Sequence, residues 1–105
     1  MNFILLFYII METVSTIESF TSVLSQNQLL AKYGISRIGV FGSFARGETS
    51  NDIDVFIEEN INPFMLLEFK EELENLTSKK IDLVMKKYAN PIILYRAEKD
   101  MLYVS

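Results

Sequence analysis

Two short segments that alternate between aliphatic and charged residues constrain the fold more than any other feature of the chain. The first covers residues 52–57 (DIDVFI) and the second covers residues 80–85 (KIDLVM). Successive side chains of a β-strand point to opposite faces of the sheet. Each segment therefore predicts a strand whose aliphatic face lies in the core and whose other face carries carboxylates.

These carboxylates predict a metal site. Asp52 and Asp54 share one face of the first strand, and Asp82 lies on the polar face of the second. If the strands are neighbours, the three carboxylates converge, and their mutual repulsion favours a bound cation. Mg²⁺ suits such a site because it is held by a few carboxylates together with substrate phosphates. Asp82 would complete the site and could accept the proton of an attacking hydroxyl group.

A loop that follows an earlier apolar segment supplies candidate phosphate donors. Gly42 and Ser43 come directly after the predicted strand 35–41, which is where backbone N–H groups and a hydroxyl can meet a phosphate. Arg46 is three residues further on, and its guanidinium group can bind a phosphate oxygen. Gly42, Ser43 and Arg46 are therefore predicted to bind nucleotide.

Each component also has a simpler interpretation. A Gly-Ser pair is commonly only a turn, an Asp-x-Asp pair is commonly a solvated strand end, and Arg46 could pair with Glu48 at the surface. The components occur together, in one order and on elements that can bring them together. That combination favours phosphoryl-transfer chemistry.

The composition narrows the class of protein. The chain has 105 residues, which predicts one domain spanning residues 1–105 and no separate substrate-binding lobe. Its 14 acidic and 10 basic residues give a net charge of −4, so direct binding to nucleic acid is not expected. The absence of Cys and His excludes thiolate and imidazole chemistry. A cysteine-free chain also suits a reducing compartment, and we expect a cytoplasmic protein.

The first ten residues contain a continuous apolar run at positions 3–10. The run is shorter than the roughly 20 residues that span a bilayer, and no basic residue precedes it as in a signal peptide. No membrane association is therefore expected. Met11 is an alternative start, which would make residues 1–10 an artefact of the assigned reading frame.

The remaining pattern alternates helices and strands. A Ser15–Glu18 capping box predicts the first helix, with a break or kink at Ser25 and an end at Gly34. Further helices are predicted from Pro63 to Leu76 and from Pro91 onward, and a last strand at 101–104. The expected fold class is α/β (α+β), with a small mixed sheet and helices packed on it.

The combined motifs resemble those of the minimal nucleotidyltransferases of the DNA polymerase beta superfamily. The resemblance rests on residues 40–48 (VFGSFARGE), 52–55 (DIDV) and 80–84 (KIDLV), and it extends from about Met11 to the C-terminus. It implies the nucleotidyltransferase fold, ATP as substrate and Mg²⁺ as cofactor. By motif position, Ser43 would bind the triphosphate, Asp52 and Asp54 the metal, and Asp82 would be the third carboxylate.

The resemblance also implies a partner. Members of this family are typically encoded beside a HEPN-domain toxin, an RNase, and act as its antitoxin by transferring AMP to a tyrosine hydroxyl. We therefore expect a hetero-oligomer with a HEPN-domain toxin. The loop between Ser43 and Asp52 is shorter than the family pattern, and Asn51 stands where a Ser is usual.

Two other functions stay open on the sequence. One is a non-enzymatic antitoxin that neutralises its toxin by binding alone. The other is a nucleotidyltransferase that modifies a small molecule, although such relatives usually carry an additional helical domain that a chain of this length lacks.

Overall fold

The computed structural model describes residues 14–105, so the expectations for the apolar run at 3–10 and for Met11 lie outside the described residues. Along the chain, the elements are α1 (Ile17–Gln26), α2 (Leu29–Lys32), β1 (Ile38–Phe41), α3 (Gly42–Ala45), β2 (Asp52–Ile57), α4 (Pro63–Thr77), β3 (Lys80–Met85), a 3-10 turn (Lys86–Tyr88), α5 (Pro91–Asp100) and β4 (Leu102–Val104). None of the helices within residues 14–105 is both long and apolar enough to cross a membrane.

The four strands form one mixed sheet in the order β3-β2-β1-β4. β1 is antiparallel to β2 and to β4, whereas β2 and β3 are parallel. Parallel neighbours need a crossover connection, and α4 provides it between β2 and β3. The predicted fold class, a small mixed sheet with packed helices, is confirmed.

The aliphatic face of the sheet forms the core, as the alternation predicts. Ile53, Val55, Ile57 and Ile81 are completely buried. The buried side chains packed with them come from α1, α2 and α4: Phe20, Leu24, Leu29, Leu30, Phe69 and Leu73. Because these side chains fill one face, the carboxylates of β2 and β3 are left on the other.

The helix α5 packs against the carboxylate-bearing face near β1. Gly39 lies opposite Phe56, and a Cβ atom at Gly39 would collide with the sulfur of Met101, the residue that ends α5. Ala97 is fully buried in the same helix. The absent side chain at Gly39 thus lets the end of α5 approach the sheet beside the carboxylates.

The start of α1 differs from the prediction by one residue. The capping box joins Thr16 and Ser19 rather than Ser15 and Glu18, with each side-chain oxygen accepting a hydrogen bond of 3.1 Å from the other's backbone N–H. The helix then breaks after Gln26, not at Ser25, because Gln28 adopts a left-handed conformation with φ of 48°. Two short helices result, so of the predicted break or kink it is the break that forms.

The predicted bounds of β2 and β3 agree with the structure, whereas β1 is shorter than expected. Ile35 is buried but lies outside the strand, because its N–H donates to the carbonyl of Leu30 at 2.8 Å and closes the end of α2. The helix α4 extends one residue past the predicted Leu76, to Thr77, whose buried hydroxyl donates to the carbonyl of Leu73 at 2.7 Å.

Candidate active site

The strand register brings the predicted carboxylates to one region of the open sheet face. Asp54 is paired in register with Asp82 of β3 on one side and with Phe41 of β1 on the other. Asp52 lies two residues earlier on the same face, in register with Lys80. Lys80 approaches Asp82, with 3.7 Å between Nζ and Oδ1. Asp54 is therefore the central carboxylate of the group.

The surroundings of Asp54 also perturb its ionisation. Partial burial raises its pKa above the ordinary value, and the negative charges of Asp82 and Asp52 raise the pKa further. Both causes penalise the ionised form of Asp54. A cation placed among the three carboxylates would relieve this penalty, which is the electrostatic behaviour expected of a metal-binding group.

Gly42 places the candidate phosphate-binding loop directly against Asp54. Its φ of +74° lies in the left-handed region, and a Cβ atom at this position would collide with Oδ2 of Asp54. From this residue the chain turns into α3, which contains Ser43. The first N–H groups of a helix have no acceptor within the helix, so they remain available to a ligand. The structure thus brings Gly42 next to Asp54, with the part-exposed Ser43 as the following residue.

The short connection between the loop and β2 is held by hydrogen bonds at its far end. The Ser50 hydroxyl donates to the Asp52 carbonyl at 2.8 Å and accepts from the Asp52 N–H at 3.2 Å. The Asn51 carbonyl accepts from the Lys80 N–H at 3.1 Å, and Lys79 Nζ donates to the Ser50 carbonyl. These bonds fix the start of β2 against β3. The shorter loop therefore remains compatible with contact between Gly42 and Asp54.

Arg46 is held by two carboxylates. Its Nε donates to Glu48 at 2.6 Å and its Nη1 donates to Asp100 of α5 at 2.7 Å. These hydrogen bonds raise the pKa of the guanidinium group, with Asp100 as the larger cause. The surface pairing with Glu48 that the sequence offered as an alternative is present. The second pair, with Asp100, was not predicted, and it ties the loop to α5.

A cleft of about 330 Å³ lies between this loop and α5. Phe41, Gly42 and Arg46 line it from the β1 side, and Asp54 lines it from β2. The wall contributed by α5 consists of Arg96, Lys99 and Asp100. No sequence motif marks these three residues as part of a site, although their spacing of three and four positions places them on one helix face.

The donor set suits a hard divalent cation. All three candidate ligands are carboxylates, and oxygen ligands of this kind hold Mg²⁺. Among residues 14–105, however, no three acidic, His or Cys side chains are arranged as a ready-made metal site. Asp52, Asp54 and Asp82 would therefore have to rotate toward a common point when a cation binds. The strand register already places their backbones side by side.

The arrangement can support transfer to an oxygen nucleophile. The Gly42 loop offers backbone donors in a cleft that Asp54 also lines, and Asp82 lies next to Asp54 in the strand register. Asp82 has a half-exposed side chain, so it is accessible to an incoming hydroxyl group. These features match the requirements of nucleotidyl transfer, in which donors hold the phosphates and a carboxylate accepts the proton.

Comparison with known sequences supports this chemistry. Residues 24–104 match the family model described as polymerase beta, nucleotidyltransferase. The protein adenylyltransferase MntA of Thermococcus cleftensis is 36% identical over 95 residues, which cover 85% of this chain and 96% of that protein. The matched region includes both carboxylate strands, the Gly42 loop and α5.

Solved structures share the fold. One that is provisionally described as a minimal nucleotidyltransferase is 30% identical, with a TM-score of 0.61 over 79% of this chain and 86% of that one. Another is a complex that contains the tri-AMPylated HEPN toxin of Shewanella oneidensis and an MNT antitoxin. A chain of that complex is 18% identical, with a TM-score of 0.54 over 77% of this chain and 66% of that one. At 18% identity, the similarity to this second structure shows a shared fold and nothing further.

Proposed function

The chain belongs to the polymerase beta nucleotidyltransferase family, and on this premise we propose that it transfers AMP from ATP to a tyrosine hydroxyl of a HEPN-domain toxin. The protein is an adenylyltransferase like its relative from Thermococcus cleftensis, which has nearly the same length. The observation that carries the proposal is the contact between Gly42 and Asp54, beside Asp82. It joins the candidate phosphate loop to the candidate metal ligands in one site.

Asp52, Asp54 and Asp82 would hold Mg²⁺, which when bound would neutralise phosphate charge and favour departure of pyrophosphate. The N–H groups of the Gly42 loop and the Ser43 hydroxyl donate to the phosphate oxygens. Asp82 accepts the proton of the attacking hydroxyl. A bond forms between that oxygen and the α-phosphorus, the bond between the α-phosphorus and the bridging oxygen breaks, and the leaving group is pyrophosphate.

The proposed partner follows from the relatives rather than from a surface of this chain. The Shewanella oneidensis complex contains an AMPylated HEPN toxin and an MNT antitoxin of the same fold. In this chain the candidate site is an open cleft between the Gly42 loop and α5, so the acceptor would enter from outside. A partner protein that supplies its own hydroxyl to the cleft satisfies that requirement.

A labelling experiment tests the proposal. Purified chain, Mg²⁺ and ATP are incubated with the proposed partner, a HEPN-domain protein from the same organism, once with α-labelled and once with γ-labelled ATP. We expect label on the partner only from the α-position, and peptide mapping should locate it on a tyrosine. Transfer of the γ-label, or label on neither protein, would contradict the proposal.

The non-enzymatic alternative is tested with the double variant Asp52→Asn, Asp54→Asn, expressed together with the toxin. If the chain acts by transfer, the variant fails to protect cells, whereas Glu71→Gln on the exposed surface of α4 protects as well as the wild type. Full protection by the double variant would establish inhibition by binding alone. Turnover with small hydroxyl compounds in the absence of a partner would instead favour a small-molecule substrate.

A further inference from the structure

The cations that line the cleft differ in whether they are already paired. Arg46 is bound by Glu48 and Asp100 at 2.6 and 2.7 Å. No ion pair to Arg96 or Lys99 occurs among residues 14–105. The positive charge available to an anion in this cleft therefore resides on α5, and not on the loop that the motif identifies.

Arg96 and Lys99 are well placed to act together. They are three residues apart on α5, so they share one face of the helix, and both line the cleft that Gly42 and Asp54 also line. Lys99 Nζ lies 4.6 Å from the centroid of the Tyr95 ring, one turn earlier on the helix. This cation–π contact restricts where the ammonium group points.

We propose that Arg96 and Lys99 bind the β- and γ-phosphates of the nucleotide. The inference rests on the proposed function for the identity of the ligand. A triphosphate carries more negative charge than one Mg²⁺ neutralises, so further cations are needed near the metal. The guanidinium fork of Arg96 can bind two phosphate oxygens, and Lys99 adds a point charge.

Arg46 takes a positioning role in this arrangement. Its pair with Asp100 connects the Gly42 loop to the same helix that carries Arg96 and Lys99. The loop donors and the helix cations are thereby kept on opposite walls of one cleft. When the bond to the α-phosphorus breaks, the group left between these walls is pyrophosphate. Nucleotide recognition by α5 therefore depends on the polyphosphate and favours triphosphates over monophosphates.

Calorimetric titration separates this role from general effects of charge. The probes are Mg·ATP, AMP and inorganic tripolyphosphate with Mg²⁺. The variant Arg96→Gln, Lys99→Gln is compared with a control, Lys70→Gln, Lys86→Gln, which removes the same charge from α4 and from the 3-10 turn that follows β3. Loss of two charge-assisted contacts should weaken Mg·ATP and tripolyphosphate at least about tenfold. Affinity for AMP should be unchanged, and the control should match the wild type.

The melting temperature provides a check that the variant is folded, and it should be unchanged because Arg96 and Lys99 are exposed. Unchanged tripolyphosphate affinity in the α5 variant, or an equal loss in the control, would overturn the inference. If the wild type binds tripolyphosphate through α5 but transfers no AMP, the inference stands and the proposed function falls. If the wild type binds neither Mg·ATP nor tripolyphosphate, both fall.

Discussion

Replacing Gly42 with Ala should disable the site by a mechanism that can be separated from its effect on stability. Two costs are expected. The left-handed φ of +74° costs a non-glycine residue about 1–2 kcal/mol. In addition, the new Cβ would collide with Oδ2 of Asp54, so that carboxylate must rotate away from its position.

Gly47 provides a matched control. Its φ is +81°, close to that of Gly42, but a Cβ atom there would have no heavy atom within 4 Å apart from those of Gly47 and its two chain neighbours. Gly47→Ala therefore incurs the same conformational cost without displacing any side chain. For a domain of this size, each kcal/mol should lower the melting temperature by about 4–8 °C. Gly42→Ala should lose at least as much stability as Gly47→Ala, and the collision with Asp54 accounts for any excess.

Their activities should differ. Displacement of a catalytic group by about 1 Å can reduce a rate about a hundredfold, so AMP transfer by Gly42→Ala should fall by at least that factor. Gly47→Ala should retain transfer near the wild-type rate at a temperature where it is fully folded. The assay is the initial rate of label transfer from α-labelled ATP, with melting curves on the same samples. Wild-type transfer by Gly42→Ala, or equal loss in both variants, would refute the reasoning.

Three further predictions concern stability and its dependence on pH. Tyr33→Phe removes the 2.6 Å hydrogen bond to Glu72, and should lower the free energy of unfolding at neutral pH by about 1 kcal/mol in denaturant titration. The hydrogen bond from Tyr33 lowers the pKa of Glu72 in the folded state. The stability that this bond contributes is therefore present above the ordinary glutamate pKa, and it is lost as pH falls through the lowered pKa of Glu72. The same bond raises the pKa of Tyr33 from 10.0 to about 12, so this contribution is complete below pH 10.0 and is lost as pH rises from there through about 12. The difference between wild type and Tyr33→Phe should therefore shrink in acid, and a constant difference would argue against the bond. Phe69→Ala should cost about 3–5 kcal/mol because its side chain is fully buried, whereas Phe64→Ala, 79% exposed on the same helix, should change stability little.

The strands were the most predictable part of the fold. β2 and β3 begin and end where their alternation predicts, because period-two burial leaves only one register that places the aliphatic face in the core. The same pattern predicted that Asp54 and Asp82 share a face. It did not reveal that β2 and β3 are parallel, since strand direction depends on the path of the α4 crossover.

Helix termini were less predictable. Ser15 and Thr16 are both good capping residues, and the sequence pattern favoured the Ser15–Glu18 box. The Thr16–Ser19 box formed instead, because the Thr16 N–H donates to the Ser19 hydroxyl oxygen while the Ser19 N–H donates to the Thr16 hydroxyl oxygen. The break between α1 and α2 depends on the left-handed backbone of Gln28. Gly and Asn are the residues that commonly adopt this conformation, so a Gln at this position gives no local signal of the break.

The part of the site contributed by α5 could not be predicted from local pattern. Arg96, Lys99 and Asp100 form a charged stripe of the kind found on most surface helices. They line the cleft because Gly39 lets the end of α5 approach the sheet, and because Asp100 pairs with Arg46. Both are tertiary contacts between distant segments. The nucleotide-binding role of Arg46 stays a prediction.

The intact mass of the proposed HEPN-type partner tests the central claim most directly. After incubation with the chain, Mg²⁺ and ATP, the partner should gain the mass of one or more AMP groups. The same incubation with Asp54→Asn should leave the mass unchanged, because the central carboxylate of the site is lost. A partner that loses its RNase activity without any gain in mass would contradict the account.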